Sequence, residues 1–218
     1  MSEALTALAA AVPLAAGWSL HSTFLRRRIE TARRDPLTGL PTRDAFTECA
    51  TRILAGGPSA VYLIDLDRFK EINDAHGHAA GDAVIRATGG RLDAWARFNE
   101  GLAGRFGGDE FAAVAPARSL PELHWTLREL TRSLTGPVDV DGHQLAVGAS
   151  IGAIRATTAT GAEGLSVLLR AADEAMYGAK QTGGGWQIAT DPTPACGTAN
   201  GRRDGRPGTT HTRTEDLA

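Results

Sequence analysis

Residues 102–116 read LAGRFGGDEFAAVAP. Two short apolar runs flank Gly107-Gly108, and paired glycines take the positive φ of a tight turn without a Cβ penalty. A β-hairpin is therefore expected, with LAGRF and EFAAVAP as its arms. Upstream, residues 59–66 (SAVYLIDL) form the short apolar run of a buried strand. Residues 42–55 carry Ala45, Phe46, Cys49 and Ile53 at helical spacing. Further helices are expected over 68–75, over 79–97 with Val84, Ile85 and Leu92 facing inward, over 119–134 and over 164–181. A second hairpin, PVDVDGHQLAVGASIGAIRA, is expected to turn at Asp141-Gly142, and WQIA reads as a closing strand. Helices interspersed with two hairpins imply an α+β fold: helices packed on a largely antiparallel sheet.

The chain has 218 residues, 42% of them hydrophobic and 22% charged, which suits one globular domain with short flanking segments. A net charge of -2 gives no bulk electrostatic case for a nucleic-acid partner. Cys49 and Cys196 stand far apart outside any metal or disulfide motif, so both read as incidental thiols in a reducing cytoplasm. Residues 1–32 form an N-terminal segment in which 4–25 (ALTALAAAVPLAAGWSLHSTFL) is apolar and is followed by Arg26, Arg27 and Arg28. Two readings stand: a membrane anchor holding the rest on the cytoplasmic face, or a dimerisation helix leading into the domain. Pro13, Gly17 and His21 weigh against the first. From 191 to 218 Thr, Pro, Gly, Arg and Asp dominate, and the tail is expected to be disordered. The domain itself is expected over 33–190.

The acidic residues sit beside strand ends. Asp65 lies near the end of VYLIDLD, and Asp109 and Glu110 follow the glycine turn. If the two strands are neighbours, Asp65 and Asp109 meet at one edge of the sheet. Carboxylates brought within about 4–5 Å repel unless a cation lies between them. Oxygen ligands select Mg²⁺ or Mn²⁺, and two such ions suit phosphoryl chemistry. After Asp67 the chain runs RFKEINDAHGHAAGD (68–82), a loop into a helix N-terminus, where backbone N–H groups meet phosphate oxygens and Lys70 adds a point charge. Asn73 and Asp82 either read a base or cap a helix. Guanine offers N1–H and its N2 amino group as adjacent donors to one carboxylate; adenine lacks that pair. His76 and His78 lack a third ligand at suitable spacing and read as turn or packing residues rather than a zinc site.

Taken in order, the motifs resemble the GGDEF family of diguanylate cyclases over roughly residues 33–190. They are Asp35-Pro36-Leu37-Thr38-Gly39-Leu40, IDLDRFKEINDAHGHAAGD, Arg105-Phe106-Gly107-Gly108-Asp109-Glu110-Phe111, Ser150-Ile151-Gly152, and the run Ala171 to Lys180. The resemblance implies a palm-like αβ fold and condensation of two GTP into cyclic di-GMP with release of two pyrophosphates. It implies a homodimer with one GTP per subunit and two Mg²⁺ or Mn²⁺ per active site. By position, Asp65, Asp109 and the Leu66 carbonyl match metal ligands, with Glu110 in support. Asp109 also matches the proton acceptor, and Asp109 and Glu110 together the catalytic pair. Asn73 and Asp82 match guanine-binding positions, and Lys180 and the backbone near Phe69 match phosphate contacts.

Three departures bear on function. Where the family often carries an Arg-x-x-Asp product-inhibition site, this chain has Phe98-Asn99-Glu100-Gly101, so that site is expected to be absent. Gly184 stands where the family commonly has a phosphate-contacting arginine, which implies weaker GTP binding or slower turnover. That change favours the alternative of a degenerate domain that binds GTP or a partner without turnover; the intact Gly107-Gly108-Asp109-Glu110-Phe111 speaks against it. Pro41 replaces a usual asparagine and is expected to alter a turn only.

Overall fold

Residues Ser59–Asp67 form strand β1, and eight of the nine are buried. A strand shielded on both faces needs a helical layer on each side, because successive side chains point opposite ways. In the computed structural model, which describes residues 32–157 and 162–190 with the isolated residues Trp18, His21, Thr23 and Phe24, those layers are present. The elements run α1 (Arg43–Ala55), β1, α2 (Phe69–His76), α3 (His78–Phe98), β2 (Leu102–Gly107), β3 (Glu110–Pro116), α4 (Leu120–Leu134), β4 (Val138–Val140), β5 (His143–Leu145), β6 (Gly148–Ala156), α5 (Ala162–Gln181) and β7 (Gly185–Ala189).

Five strands make one sheet in the order β2-β3-β1-β6-β7, antiparallel except for the β6–β7 pair. Ala60, Tyr62, Ile64 and Leu66 enter one core with Leu92 and Trp95 of α3 and Leu127 of α4. Val61 and Leu63 enter a second core with Phe46 and Leu54 of α1 and Leu165 and Leu168 of α5. In the first core the buried Tyr62 hydroxyl and Thr126 Oγ1 are hydrogen-bonded at 2.9 Å, and Trp95 Nε1 donates to the Thr126 carbonyl at 3.3 Å. Burial pushes the Tyr62 hydroxyl up to about 12, so it stays a neutral partner.

The expected elements form with ends shifted by a residue or two. The second hairpin differs: it turns at Asp141-Gly142, but its arms are only Val138–Val140 and His143–Leu145, a separate two-stranded sheet. The chain then leaves that hairpin, and Gly148–Ala156 joins the main sheet beside β1 over nine paired positions. Burial decides the split, since β6 can cover both its faces only within the five-stranded sheet. Segment 191–218 lies outside the described residues, as does nearly all of 4–25. Among the described residues, no helix is long and apolar enough to cross a membrane.

Gly152 on β6 admits α5 at backbone distance: a Cβ there would lie 1.9 Å from the Ala172 carbonyl oxygen and 2.3 Å from the Met176 nitrogen. Backbone atoms of a packed helix cannot yield as a side-chain tip does. Gly152→Ala is therefore expected to destabilise the fold by about 2 kcal/mol or more, the upper range for overpacking. Urea unfolding measures this, and a wild-type midpoint would refute the close approach.

Candidate functional site

The C-terminal end of β1, the turn into β3, the start of β6 and the end of α5 converge at one end of the sheet. Asp65 is 3% exposed and stands opposite Glu110 on β3 and Ser150 on β6 in the strand register. Cross-strand partners share a face, so these three side chains project toward the α5 side. Asp109 lies one residue back, in the turn, where its carbonyl accepts the Leu66 N–H at 3.3 Å. The register thus puts Glu110 directly across from Asp65, with Asp109 beside them.

Lys180, from the last turn of α5, brings its Nζ to 2.7 Å from Asp65 Oδ1. The approach is that of an ion pair without the angles of a directed hydrogen bond, and Asp65 Oδ1 remains buried without a hydrogen-bond donor. Burial pushes the Asp65 carboxyl up to about 6; Lys180 pulls it down, while Asp109 and Glu110 push it up again. A buried carboxyl flanked by two other acids has a deficit of positive charge that Lys180 only partly meets. Among the described residues, no three His, Cys, Asp or Glu side chains are disposed to grip a metal as they stand. The donors at this point are nevertheless all oxygens around an under-neutralised carboxylate, and they fit a hard divalent cation.

The glycine turn is braced from outside. Arg105 Nη1 donates to both carboxylate oxygens of Asp35 at 3.0 Å, while its Nε and Nη2 donate to the Gly108 carbonyl at 3.1 and 2.8 Å. Asp35 also accepts from the Thr38 N–H at 2.8 Å and the Thr38 hydroxyl at 2.6 Å. Burial alone would raise the Asp35 carboxyl, but these donors outweigh it and hold it below its ordinary value. The Arg105 N–H donates to the Pro41 carbonyl at 3.0 Å, so the opening motif folds onto the edge of β2. Sequence reasoning assigned Arg105 and Asp35 no role. Their signal was available only as an arginine beside the turn and an aspartate in a distant loop.

Asn73 on α2 and Asp82 on α3 lie on either side of the junction between the two helices. Gly77, with φ +81, separates the two helices. A Cβ on Gly81 would sit 2.0 Å from Asn73 Oδ1, so the Asn73 side chain lies directly over Gly81 and next to the exposed Asp82. Neither caps a helix here, for the N-cap of α3 is Gly77, and α2 and α3 both begin without a side-chain cap. Phe69 opens α2 and packs against the first core. Lys70 is exposed and does not line the cleft beside Asp67. Asp67, likewise unassigned from sequence, accepts from the Ser150 hydroxyl at 2.6 Å. At the former inhibitory-site positions Phe98 is 77% exposed, and a Cβ on Gly101 would fall 2.3 Å from the Val114 carbonyl oxygen, so an aspartate has no room there.

With a carboxyl raised above its ordinary 3.8, the folded state binds the Asp65 proton more tightly than the unfolded state does. The stability this group confers is full below about pH 4 and is lost as pH rises through about 6. In divalent-free buffer, Asp65→Asn is expected to gain about 2 kcal/mol over wild type between pH 4 and pH 7.5. Urea unfolding at both pH values checks it; a wild type that gains on the variant over that window would count against the buried-acid assignment.

Comparison with known proteins gives the family and the fold. The family described as "Diguanylate cyclase, GGDEF domain" matches residues 32–185. An uncharacterized 19.3 kDa protein of Streptomyces ambofaciens is 47% identical over 165 residues, covering 75% of this chain and 87% of that protein. The diguanylate cyclase DgcP of Pseudomonas aeruginosa is 37% identical over 171 residues, 76% of this chain but 25% of its own length. Among solved structures, the coiled coil and GGDEF domain of DgcB from Caulobacter crescentus, in complex with c-di-GMP, superposes with a TM-score of 0.71 at 25% identity, covering 83% of this chain and 97% of that one. The GGDEF domain of PA1120 from Pseudomonas aeruginosa gives a TM-score of 0.64 at 35% identity, covering 72% and 94%.

Proposed function

We propose that this chain, which belongs to the GGDEF family of diguanylate cyclase domains, condenses two GTP molecules into cyclic di-GMP and two pyrophosphates. The observation that carries the reading is the buried, up-shifted Asp65 in register with Glu110 and beside Asp109, at the mouth of a glycine turn. Such a cluster is costly to stability and is explained by a cation and a polyanionic substrate arriving there.

Asp65, Asp109, Glu110 and the Leu66 carbonyl would hold Mg²⁺ or Mn²⁺. Bound there, the ions supply neutralisation of phosphate charge and acidify the attacking hydroxyl. The chain's own groups do the positioning. Asp82 accepts the guanine N1–H and N2 amino hydrogens with one carboxylate, and Asn73, fixed over Gly81, reads the same edge. Lys180 and the backbone N–H groups at Phe69 hold phosphate oxygens. Asp109 takes the proton of the 3′-hydroxyl. Each 3′-oxygen forms one bond to the α-phosphorus of the other GTP as that phosphorus releases pyrophosphate, so two bonds form, two break and two protons leave. One chain holds one GTP, and the reaction therefore requires a homodimer with facing sites. Residues 33–190 would be the catalytic domain, with 1–32 bringing two of them together on the cytoplasmic side, at the membrane or free of it, and 191–218 a passive tail.

Incubating the chain with GTP and Mg²⁺ and resolving the products by chromatography tests the reading. Cyclic di-GMP is the expected product, and Asp109→Ala is expected to lower its rate at least about a hundredfold with an unchanged unfolding midpoint. Wild-type turnover by that variant would remove Asp109 from the chemistry. Asp82→Ala is expected to raise KM for GTP and to erode the preference over ATP; an unaltered preference would assign the base to other residues. A second reading, saturable GTP binding without turnover, is favoured by the bare Gly184, and the same assay separates it as binding with no product.

A further inference from the structure

An open cleft of about 910 Å³ lies beside Asp67, between α2, the stretch leading into β6 and the link from α5 to β7. Two permanent cations line it, Arg68 and Lys180. Lys180 is committed to Asp65 at 2.7 Å. The Arg68 guanidinium has no hydrogen-bond or ion-pair partner among the described residues, and its side chain is exposed to the cleft. Its backbone adopts φ +54, in the left-handed region that a non-glycine residue enters at a cost. That conformation turns the chain from β1 into α2 and sets Arg68 on the cleft wall.

On the α5–β7 link, beyond Lys180, the cleft is lined by glycines. Gly183 and Gly184 have φ +100 and +99, and a Cβ on Gly184 would lie 2.7 Å from Asp67 Oδ2. Position 184 can therefore carry no arginine without moving Asp67. The Asp67 carboxylate is itself occupied, with Oδ1 accepting from Ser150 at 2.6 Å and Oδ2 pressed between Gly148 and Gly184. We propose that Arg68 grips the terminal phosphates of the nucleotide, supplying from the β1–α2 link the guanidinium that the α5–β7 link cannot. The assignment rests on the cyclase reading, which puts the GTP phosphates at Lys180 and the start of α2. An arginine suits the task because its planar fork meets two phosphate oxygens at once.

Binding of 3′-deoxy-GTP tests this without turnover, because that nucleotide lacks the attacking hydroxyl. The full chain is titrated calorimetrically with 3′-deoxy-GTP and with GMP in Mg²⁺. Arg68→Gly is the informative variant, since glycine accepts φ +54 and only the guanidinium is lost. The expected result is about tenfold weaker 3′-deoxy-GTP binding, equivalent to about 1.4 kcal/mol, with GMP affinity unchanged and partial recovery in Arg68→Lys. Undiminished 3′-deoxy-GTP binding by Arg68→Gly overturns the assignment, as does an equal loss for GMP, which would report on the base site or the fold. A wild-type chain that binds neither nucleotide defeats the cyclase reading itself, and the role of Arg68 with it.

Discussion

The double burial of β1 governs the molecule. A central strand packed on both faces leaves little room for anything but apolar side chains, yet Asp65 occupies its next-to-last inward position at 3% exposure. Every neighbouring element then bears on that one carboxylate. β3 brings Glu110 opposite and Asp109 alongside, β6 brings Ser150, and α5 delivers Lys180 from the far end of its run. The result is an electrostatic conflict held by packing: two acids and desolvation raise the carboxyl, and one ammonium only partly offsets them. Sites of this kind sacrifice stability for the ability to bind charge.

Precision at the site comes from close backbone approaches as much as from its polar groups. Gly152 lets α5 lie directly on β6, which sets the reach of Lys180. Gly81 makes space for Asn73, and Gly184 for Asp67. A side chain at any of the three positions would shift a functional neighbour rather than simply fill space. Outside the site, Arg105 ties the Gly108 carbonyl to Asp35, so the glycine turn is fastened to the segment through which the chain enters the domain.

Position 184 has a left-handed backbone and no space for a Cβ, while Arg68 stands across the cleft beside Asp67 in an unusual backbone conformation with its charge unpaired among the described residues. The altered α5–β7 link and the arginine at the β1–α2 link are two sides of one opening. Gly101 likewise faces the Val114 carbonyl too closely for any larger residue.

Residue order alone determined the element types and their sequence, the Gly107-Gly108 turn, the family, and the acidic positions beside the strand ends. Those features depend on residues a few places apart, through periodicity and turn geometry, and local chemistry is written in the chain. Tertiary structure decided what depends on distant segments meeting. It paired Asp65 with Glu110 rather than Asp109, placed Lys180 on Asp65, broke the second hairpin so that β6 could bury itself beside β1, and joined Arg105 to Asp35. None of these pairings is periodic. Each follows from how helices of a given length and sheets of a given register pack, and only the assembled core fixes that.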